Sequence, residues 1–438
     1  MAAAFLVLAF GQADSPRERP PGDGPTASES SPPEAAKDSE DISGEPGVPY
    51  MPSVGMPSGV SRGVFLDVAL LSELRAQTLS ASDSATTWGT DVELTPGIAL
   101  VIGSPSVTLS LGYAPRLTVP FNVGGASLAV LNRATLRAEL RVDPLWALTA
   151  LGVFVVGDYS QLVPASTPGG AGPPPPVLNP VRSFLTYPYV GIDTQFRIDG
   201  VLLHRLHMRL SGGYFDVGGT GEVGQANQPR TWGPLADASL AWDASRTSVL
   251  TTAVAAQDWM MAGNFSIILS TLTESWKQSW TTALETTFTA GAGLSNRDVE
   301  SLTAAGHFFP VASLRLDYKQ DALHPLHVAL EGSLSPYVDT YLMAAYQRAV
   351  LRALLDWRPS QAWQVGASVS VALAPHSTLA PESYGVVGAS ASYAPVPFLV
   401  LSAGGFSQSQ FAGANAAGGS FRQWTTYFSL ALRDKTAL

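Results

Sequence analysis

Hydrophobic and polar residues alternate along much of the chain, most clearly within residues 128–159. The alternating stretch has apolar Ala134, Leu136, Ala138, Leu140 and Val142 between polar Arg133, Thr135, Arg137, Glu139 and Arg141. A period of two predicts a β-strand with one apolar and one polar face. Asp143-Pro144 then predicts a tight turn, after which a mostly apolar strand returns. In a soluble protein the aliphatic face of this hairpin would point inward, whereas in a membrane barrel it would face lipid and the arginines would face the lumen.

The same pattern continues from residue 62 to the end of the chain. It predicts eighteen strands, an even number, with sixteen as the alternative if two weak strands near the N-terminus merge. The predicted strands are 63–75, 88–102, 106–117, 128–142, 145–158, 183–198, 202–215, 231–243, 246–258, 264–276, 279–293, 308–320, 325–335, 341–357, 361–373, 384–394, 398–411 and 421–433.

Short and long connections alternate between these strands. The predicted short turns include Asp199-Gly200, Lys277-Gln278, Asp321-Ala322 and Arg358-Pro359-Ser360, and the long connections are 160–182, 216–230, 295–307 and 410–420. Short turns at one rim and long loops at the other are typical of outer-membrane barrels. The sequence therefore predicts an all-β, antiparallel, up-and-down transmembrane barrel with short periplasmic turns and long extracellular loops.

The composition agrees with a surface that is not entirely aqueous. Charged residues make up 14% of the chain, against roughly 25% in soluble domains, while hydrophobic residues make up 46%. No apolar run is long enough for a membrane-spanning helix. The absence of cysteine excludes disulfides and thiolate metal sites. No basic patch of the nucleic-acid-binding kind is present, so no nucleic-acid partner is expected.

The N-terminal residues differ from the rest of the chain. Residues 1–13 begin with an apolar run and are predicted to be a signal peptide. Residues 14–61 are rich in Pro, Ser and Gly, and residues 14–50 hold nine acids and three bases. This composition predicts a disordered acidic periplasmic segment, with a plug inside the lumen as the alternative. The barrel domain is predicted to span 62–438.

Free energy decides which face of the predicted strands meets lipid. Each arginine turned to the middle of a bilayer costs roughly 2–4 kcal/mol, so the charged face should line the lumen. There the charges would set the selectivity of a pore or form internal salt bridges. The predicted lumen-lining residues are Arg133, Arg137, Glu139, Arg141, Asp193, Arg205, Arg209, Arg315, Asp317, Glu331, Arg348 and Arg352.

The tryptophans cluster at predicted strand ends, as expected for side chains that prefer the membrane–water interface. Trp88, Trp232, Trp259 and Trp424 lie at the long-loop ends. The predicted interfacial girdle beside the short turns consists of Trp146, Trp242, Trp276, Trp280, Trp357 and Trp363.

With these features, residues 62–438 resemble the Gram-negative outer-membrane β-barrel proteins of porin-like size. The resemblance concerns architecture and does not extend to a close family. It implies a location in the outer membrane, contact with outer-membrane lipid and insertion by the barrel-assembly machinery.

No catalytic, metal or cofactor site is predicted, and the chain is not expected to be an enzyme. The GxGxxG letters at Gly219–Gly224 lack the strand–helix context of a nucleotide site and predict a flexible loop. In the two HxxH pairs, the histidines would point to opposite faces of a strand. The leading hypothesis is a passive, porin-like channel for small hydrophilic solutes. The alternatives are a structural barrel that anchors an envelope complex through residues 14–61, and a secreted all-β protein.

Overall fold

The computed structural model describes residues 63–81, 86–121, 127–160, 186–261, 265–297, 306–320, 325–339, 344–373, 382–396, 398–412 and 421–437. The predicted signal peptide, the 14–61 segment and the predicted turn at Asp321-Ala322 lie outside these residues. Among the described residues, no helix is both long and apolar enough to cross a membrane.

Antiparallel strands account for nearly all of the described chain, as the period-two pattern predicts. The strands are β1 Gly63–Ala81, β2 Thr87–Gly103, β3 Val107–Tyr113, β4 Arg116–Phe121, β5 Ala129–Asp143, β6 Trp146–Ser160, β7 Thr186–Leu203, β8 Leu206–Gly219, β9 Thr231–Asp243, β10 Ser248–Met261, β11 Phe265–Ser279, β12 Leu284–Ser295, β13 His307–Gln320, β14 Leu326–Asp339, β15 Ala344–Ser360, β16 Trp363–Leu373, β17 Glu382–Val396, β18 Leu399–Ala412 and β19 Phe421–Ala437. Strands that follow each other in the chain pair antiparallel, except β3 and β4, which each pair with β2 and β5. Because β1 pairs with both β2 and β19, the sheet closes on itself.

The described strands occupy eighteen positions around the barrel, which confirms the predicted fold and strand number. Both β3 and β4 lie between β2 and β5 and keep one register with each neighbour. They correspond to the strand predicted at 106–117, which is interrupted at Ala114-Pro115 and extends four residues further, to Phe121. Proline has no backbone N–H to donate to the ladder, which explains the break.

The outer face of the wall is apolar. Side chains at alternate positions point away from the barrel and are exposed, among them Leu74, Ile98, Leu111, Leu136, Phe154, Phe196, Leu210, Leu240, Val254, Leu272, Phe288, Leu314, Leu330, Leu351, Val369, Val387 and Phe428. The intervening positions point inward and carry most of the charged and hydroxyl side chains. A closed barrel satisfies its backbone hydrogen bonds and presents an apolar band to acyl chains, so this protein is an outer-membrane β-barrel.

Three predicted short turns lie inside strands instead. Asp199-Gly200 belongs to β7, Lys277-Gln278 to β11 and Arg358-Pro359-Ser360 to β15. Gly200 serves close packing and not a turn, because a Cβ there would lie 2.4 Å from the Trp146 ring. A short chemical signal for a turn is therefore overridden by the pairing of a long strand.

The GxGxxG segment is also different from the prediction. Instead of a flexible loop, Gly221–Asn227 form a short helix, α1, between β8 and β9. Beside it, Arg230 donates hydrogen bonds of 2.7 and 2.6 Å to the two carboxylate oxygens of Asp216, and this pairing raises the pKa of the guanidinium.

Candidate functional site

The lumen is the candidate functional site, and its half near the short turns carries a regular series of ion pairs. Side chains two residues apart on one strand share the inward face, so charges in such pairs can meet. Asp199 illustrates this arrangement: it lies 2.8 Å from Arg197 Nε and also 2.8 Å from Arg209 Nε on the next strand. The other pairs on this wall are Arg141–Glu139, Lys277–Glu285, Arg315–Asp317, His207–Asp243 and His327–Asp317.

Side chains on this part of the wall are exposed to solvent. The Arg141 side chain is 56% exposed and that of Arg137 31% exposed, which indicates an aqueous space beside the wall. Glu331 stands between two cations, because the ladder places Arg315 opposite it on β13 and Arg352 opposite it on β15. The half of the lumen near the short turns, called the lower lumen below, is therefore hydrophilic, and it carries charges of both signs.

Of the twelve predicted lumen-lining residues, all but Arg205 lie at inward-facing strand positions. Asp193 is almost fully buried and accepts hydrogen bonds from Gln195, and Arg133 is 8% exposed. Arg205 is a correction, because it lies in the exposed turn between β7 and β8 and not on the wall. The sequence alternation there begins at the turn, one position before the strand does.

The six predicted girdle tryptophans lie on the outer face or at the rim beside the short turns, as the bounds of the strands show. Indole N–H groups of two of them are satisfied: Trp276 donates to Ser248 and Trp280 to Thr286, each at 2.9 Å. At the opposite rim, Trp259 differs from the prediction. It points inward, packs 4.9 Å from the Phe215 ring and borders a buried apolar cluster.

A buried charge cluster lies on the inner wall towards the long-loop end. Arg75 of β1 contacts Asp91 at 2.8 Å and Glu93 at 2.6 Å on β2, and Arg116 of β4 contacts Glu93 at 2.5 Å. All four side chains are less than 8% exposed. The sequence prediction did not include these four residues. Charged and apolar residues alternate at 73–75 (Glu-Leu-Arg) and at 91–93 (Asp-Val-Glu), so the pattern could have identified three of them as inward-facing.

The upper part of the lumen is also narrowed by the β14–β15 hairpin, whose top folds inward. Positions that should face outward there are buried: Ala345 is fully buried and packs with Ile267 and Phe309, both inward-facing residues of other strands. Gln347 donates a 3.0 Å hydrogen bond to the Pro310 carbonyl of β13. The hairpin top therefore lies against the inner surface of β10–β13.

Two tyrosines and an arginine pack together on the inward-folded hairpin. Tyr337 and Tyr346 meet edge to face with ring centroids 5.5 Å apart, and the Arg348 guanidinium carbon lies 3.9 Å from the Tyr337 centroid. In the described part of the chain, no three His, Cys, Asp or Glu residues are arranged to hold a metal ion.

Comparisons with known proteins add a family to this geometry. None of the curated proteins matches the sequence. Among solved structures, OccAB4 of Acinetobacter baumannii aligns at 9% identity over 86% of this chain and 99% of that one, with a TM-score of 0.47. The outer membrane protein OpdK of Pseudomonas aeruginosa aligns at 12% identity over 84% and 99% of the two chains, with a TM-score of 0.44.

A family model covers more than half of the sequence. It is described as the EpsX exopolysaccharide export family and matches residues 59–307, which contain β1 to β12. The chain belongs to the EpsX exopolysaccharide export family.

Proposed function

We propose that this barrel is a conduit through which an exopolysaccharide strand crosses the outer membrane. The observation that carries the proposal is the match to an exopolysaccharide export family along the first twelve strands of the wall.

The inner wall suits a polar polymer. A barrel of this strand number leaves an aqueous interior, and the ion pairs of the lower lumen supply hydrogen-bond donors and acceptors on its wall. Small inward residues on β16 and β17, such as Gly366, Ser368 and Ser390, leave room beside the wall. In the half of the lumen near the short turns, an extended sugar chain can exchange hydrogen bonds with water and with these side chains as it moves.

The buried upper lumen favours an exporter over a permanently open porin. Inward side chains there, including Tyr189, Phe215 and Met261, are 2% exposed or less, whereas the charges near the short turns are wet. A conduit for a polymer can rest closed at one end and open only during transport.

The passive channel for small solutes is the second candidate, favoured by the wet, charged lower wall. Planar bilayers separate the two proposals: steady conductance of the native barrel supports the porin, and a closed baseline supports the exporter. Anchoring of an envelope complex through residues 14–61 stays a prediction, since those residues lie outside the described ones.

Export is tested by matched substitutions on neighbouring residues of β17. Ser390 faces the lumen and Ala391 faces outward, so Ser390→Trp narrows the lumen and Ala391→Trp adds an aromatic ring to the lipid face. Cells lacking the protein and complemented with each variant are assayed for extracellular polysaccharide.

We expect no export without the protein, full export with the native chain and with Ala391→Trp, and several-fold less with Ser390→Trp. Heat-modifiable migration on gels checks that both variants are folded. Full export by a folded Ser390→Trp variant, or normal export without the protein, would contradict a route through this lumen.

A further inference from the structure

Arg348 is an inward-facing cation with no carboxylate within ion-pair distance among the described residues. Among the described residues, its neighbours on the inward face are Ser335, directly opposite on β14, and Tyr337 and Tyr346 at the next pair of positions. It is 9% exposed and its Nε atom has no hydrogen-bond partner. Within the described residues, the electrostatic contact that Arg348 makes is with the face of the Tyr337 ring.

The contrast with Arg352 shows that this is a property of the position. Arg352 lies on the same strand and face, but Glu331 is directly opposite it. Arg75, Arg116, Arg209, Arg315 and Arg433 also have carboxylates within ion-pair distance. A guanidinium that is nine-tenths buried without an anion costs free energy, because its hydration is lost and no ion pair replaces it.

The position of this cation is equally informative. Arg348 lies on the part of the β14–β15 hairpin that folds into the lumen, so a saccharide chain passing through the barrel would contact it near the long-loop end. A guanidinium stacked on an aromatic ring keeps its N–H edge free for a planar anion, and arginine binds carboxylates through two parallel hydrogen bonds. The tyrosine pair adds apolar ring surface beside the guanidinium.

We propose that Arg348, Tyr337 and Tyr346 form a recognition site for the carboxylate of a uronic-acid unit in the exported saccharide. The proposal rests on the proposed function and adds a substrate class to it, namely an acidic polysaccharide. The guanidinium would bind the carboxylate, and the tyrosines would contact the sugar ring that carries it.

Equilibrium binding to the purified full-length barrel in detergent tests the site without requiring transport. The probe is a galacturonate tetramer, and the matched control is the same tetramer with its carboxylates methyl-esterified. The variants are Arg348→Gln, Arg348→Lys and, as a control for the loss of one lumenal charge, Arg352→Gln.

We expect Arg348→Gln to weaken binding of the acidic tetramer by about tenfold or more, as loss of a charged hydrogen-bonding pair predicts. Arg348→Lys should recover part of the affinity, since it keeps the charge and loses the planar edge. Arg352→Gln should stay within about twofold of the native chain, and the esterified tetramer should bind weakly to all variants.

Three outcomes would overturn the site: equal affinity of the native and Arg348→Gln chains, equal affinity for the esterified tetramer, or competition by inorganic phosphate at the tetramer's own concentration. The last result would indicate a site for free anions. Export measured in cells tests the proposed function separately. If the deletion strain still exported polysaccharide while the purified barrel bound the tetramer through Arg348, the barrel would not be the export conduit but the binding site would be confirmed.

Discussion

Leu136 provides a direct test of which face of the wall meets lipid. It is the central residue of β5, seven positions from each end of the strand, and its side chain points outward and is 37% exposed. We predict that Leu136→Arg strongly destabilises the barrel. The comparison variant is Thr149→Arg, which places the same side chain on the inward face of β6 between Glu139 and Arg197.

The expected loss of stability depends on how deep residue 136 lies in the bilayer. Seven residues of strand correspond to about 23 Å on either side of Leu136, so an arginine there cannot easily reach the headgroups. Arginine at mid-bilayer costs roughly 2–4 kcal/mol, which corresponds to a roughly 30- to 900-fold change in the unfolding equilibrium constant. At Thr149 the guanidinium would remain in the hydrophilic lumen beside Glu139, where the expected change is within about 1 kcal/mol.

The free energy of unfolding is measured by guanidinium titration of the barrel refolded into phospholipid vesicles, with tryptophan fluorescence as the signal. We expect a clear loss of stability for Leu136→Arg and little change for Thr149→Arg. Equal effects of the two variants, or a larger effect at Thr149, would refute the assignment of the two faces.

Three further substitutions test the wall itself. Gly157→Ala should destabilise the barrel by at least about 1–3 kcal/mol, because Gly157 has a φ of +141° and a Cβ would lie 2.0 Å from the Val130 carbonyl oxygen. Arg433→Gln should cost about 1.5–3 kcal/mol, since it removes the 3.0 Å hydrogen bond to buried Asp67 across the closing β1–β19 pair. Arg75→Gln should cost about 3–5 kcal/mol, because it leaves buried Asp91 without its cation and leaves Glu93 with Arg116 alone. The same titration measures all three.

Each of these variants has a matched control. Gly385→Ala should be tolerated, because the Ser370 carbonyl oxygen, the nearest described atom from another strand, lies 3.9 Å from its Cβ position. Arg422→Gln removes a charge from the exposed face of β19, and Arg141→Gln removes a wet one from the lumen, so each should change stability by less than about 1 kcal/mol. If a control is as destabilising as its partner, the specific contact does not explain the effect.

The fold could be predicted from the sequence because a membrane barrel repeats one simple rule. Wherever aliphatic and polar residues alternate, as from Ala134 to Arg141, the period of two identifies a β-strand. The free-energy cost of a charge in lipid then determines which face of that strand points outward. The strand number also followed, because each β-hairpin carries its own pattern. Local signals, by contrast, misplaced three of the short turns. Asp199-Gly200, for example, lies within β7, where Gly200 leaves space for the Trp146 ring.

The inward-folded hairpin could not be predicted, because its sequence looks like any other strand pair. Ala345 and Gln347 occupy outward-facing positions by alternation, and only contacts with Ile267, Phe309 and Pro310 show that they are covered. The same limit applies to Trp259, whose position near a strand end suggested the membrane interface. Alternation defines sides within one strand and carries no information about a strand that leaves the wall.

Arg348 and Arg352 show where prediction from sequence ends and structure becomes necessary. Along the chain they are equivalent: both are arginines at the same phase of one alternating strand. The β14–β15 pairing gives the two arginines different neighbours, because its register places Glu331 opposite Arg352 and Ser335 opposite Arg348. Pairing on neighbouring strands thus decides which charge is neutralised within the wall and which remains available to bind an anion. A one-residue change of register would turn both side chains towards lipid, so the availability of Arg348 depends on the whole β14–β15 pairing and not on the arginine alone.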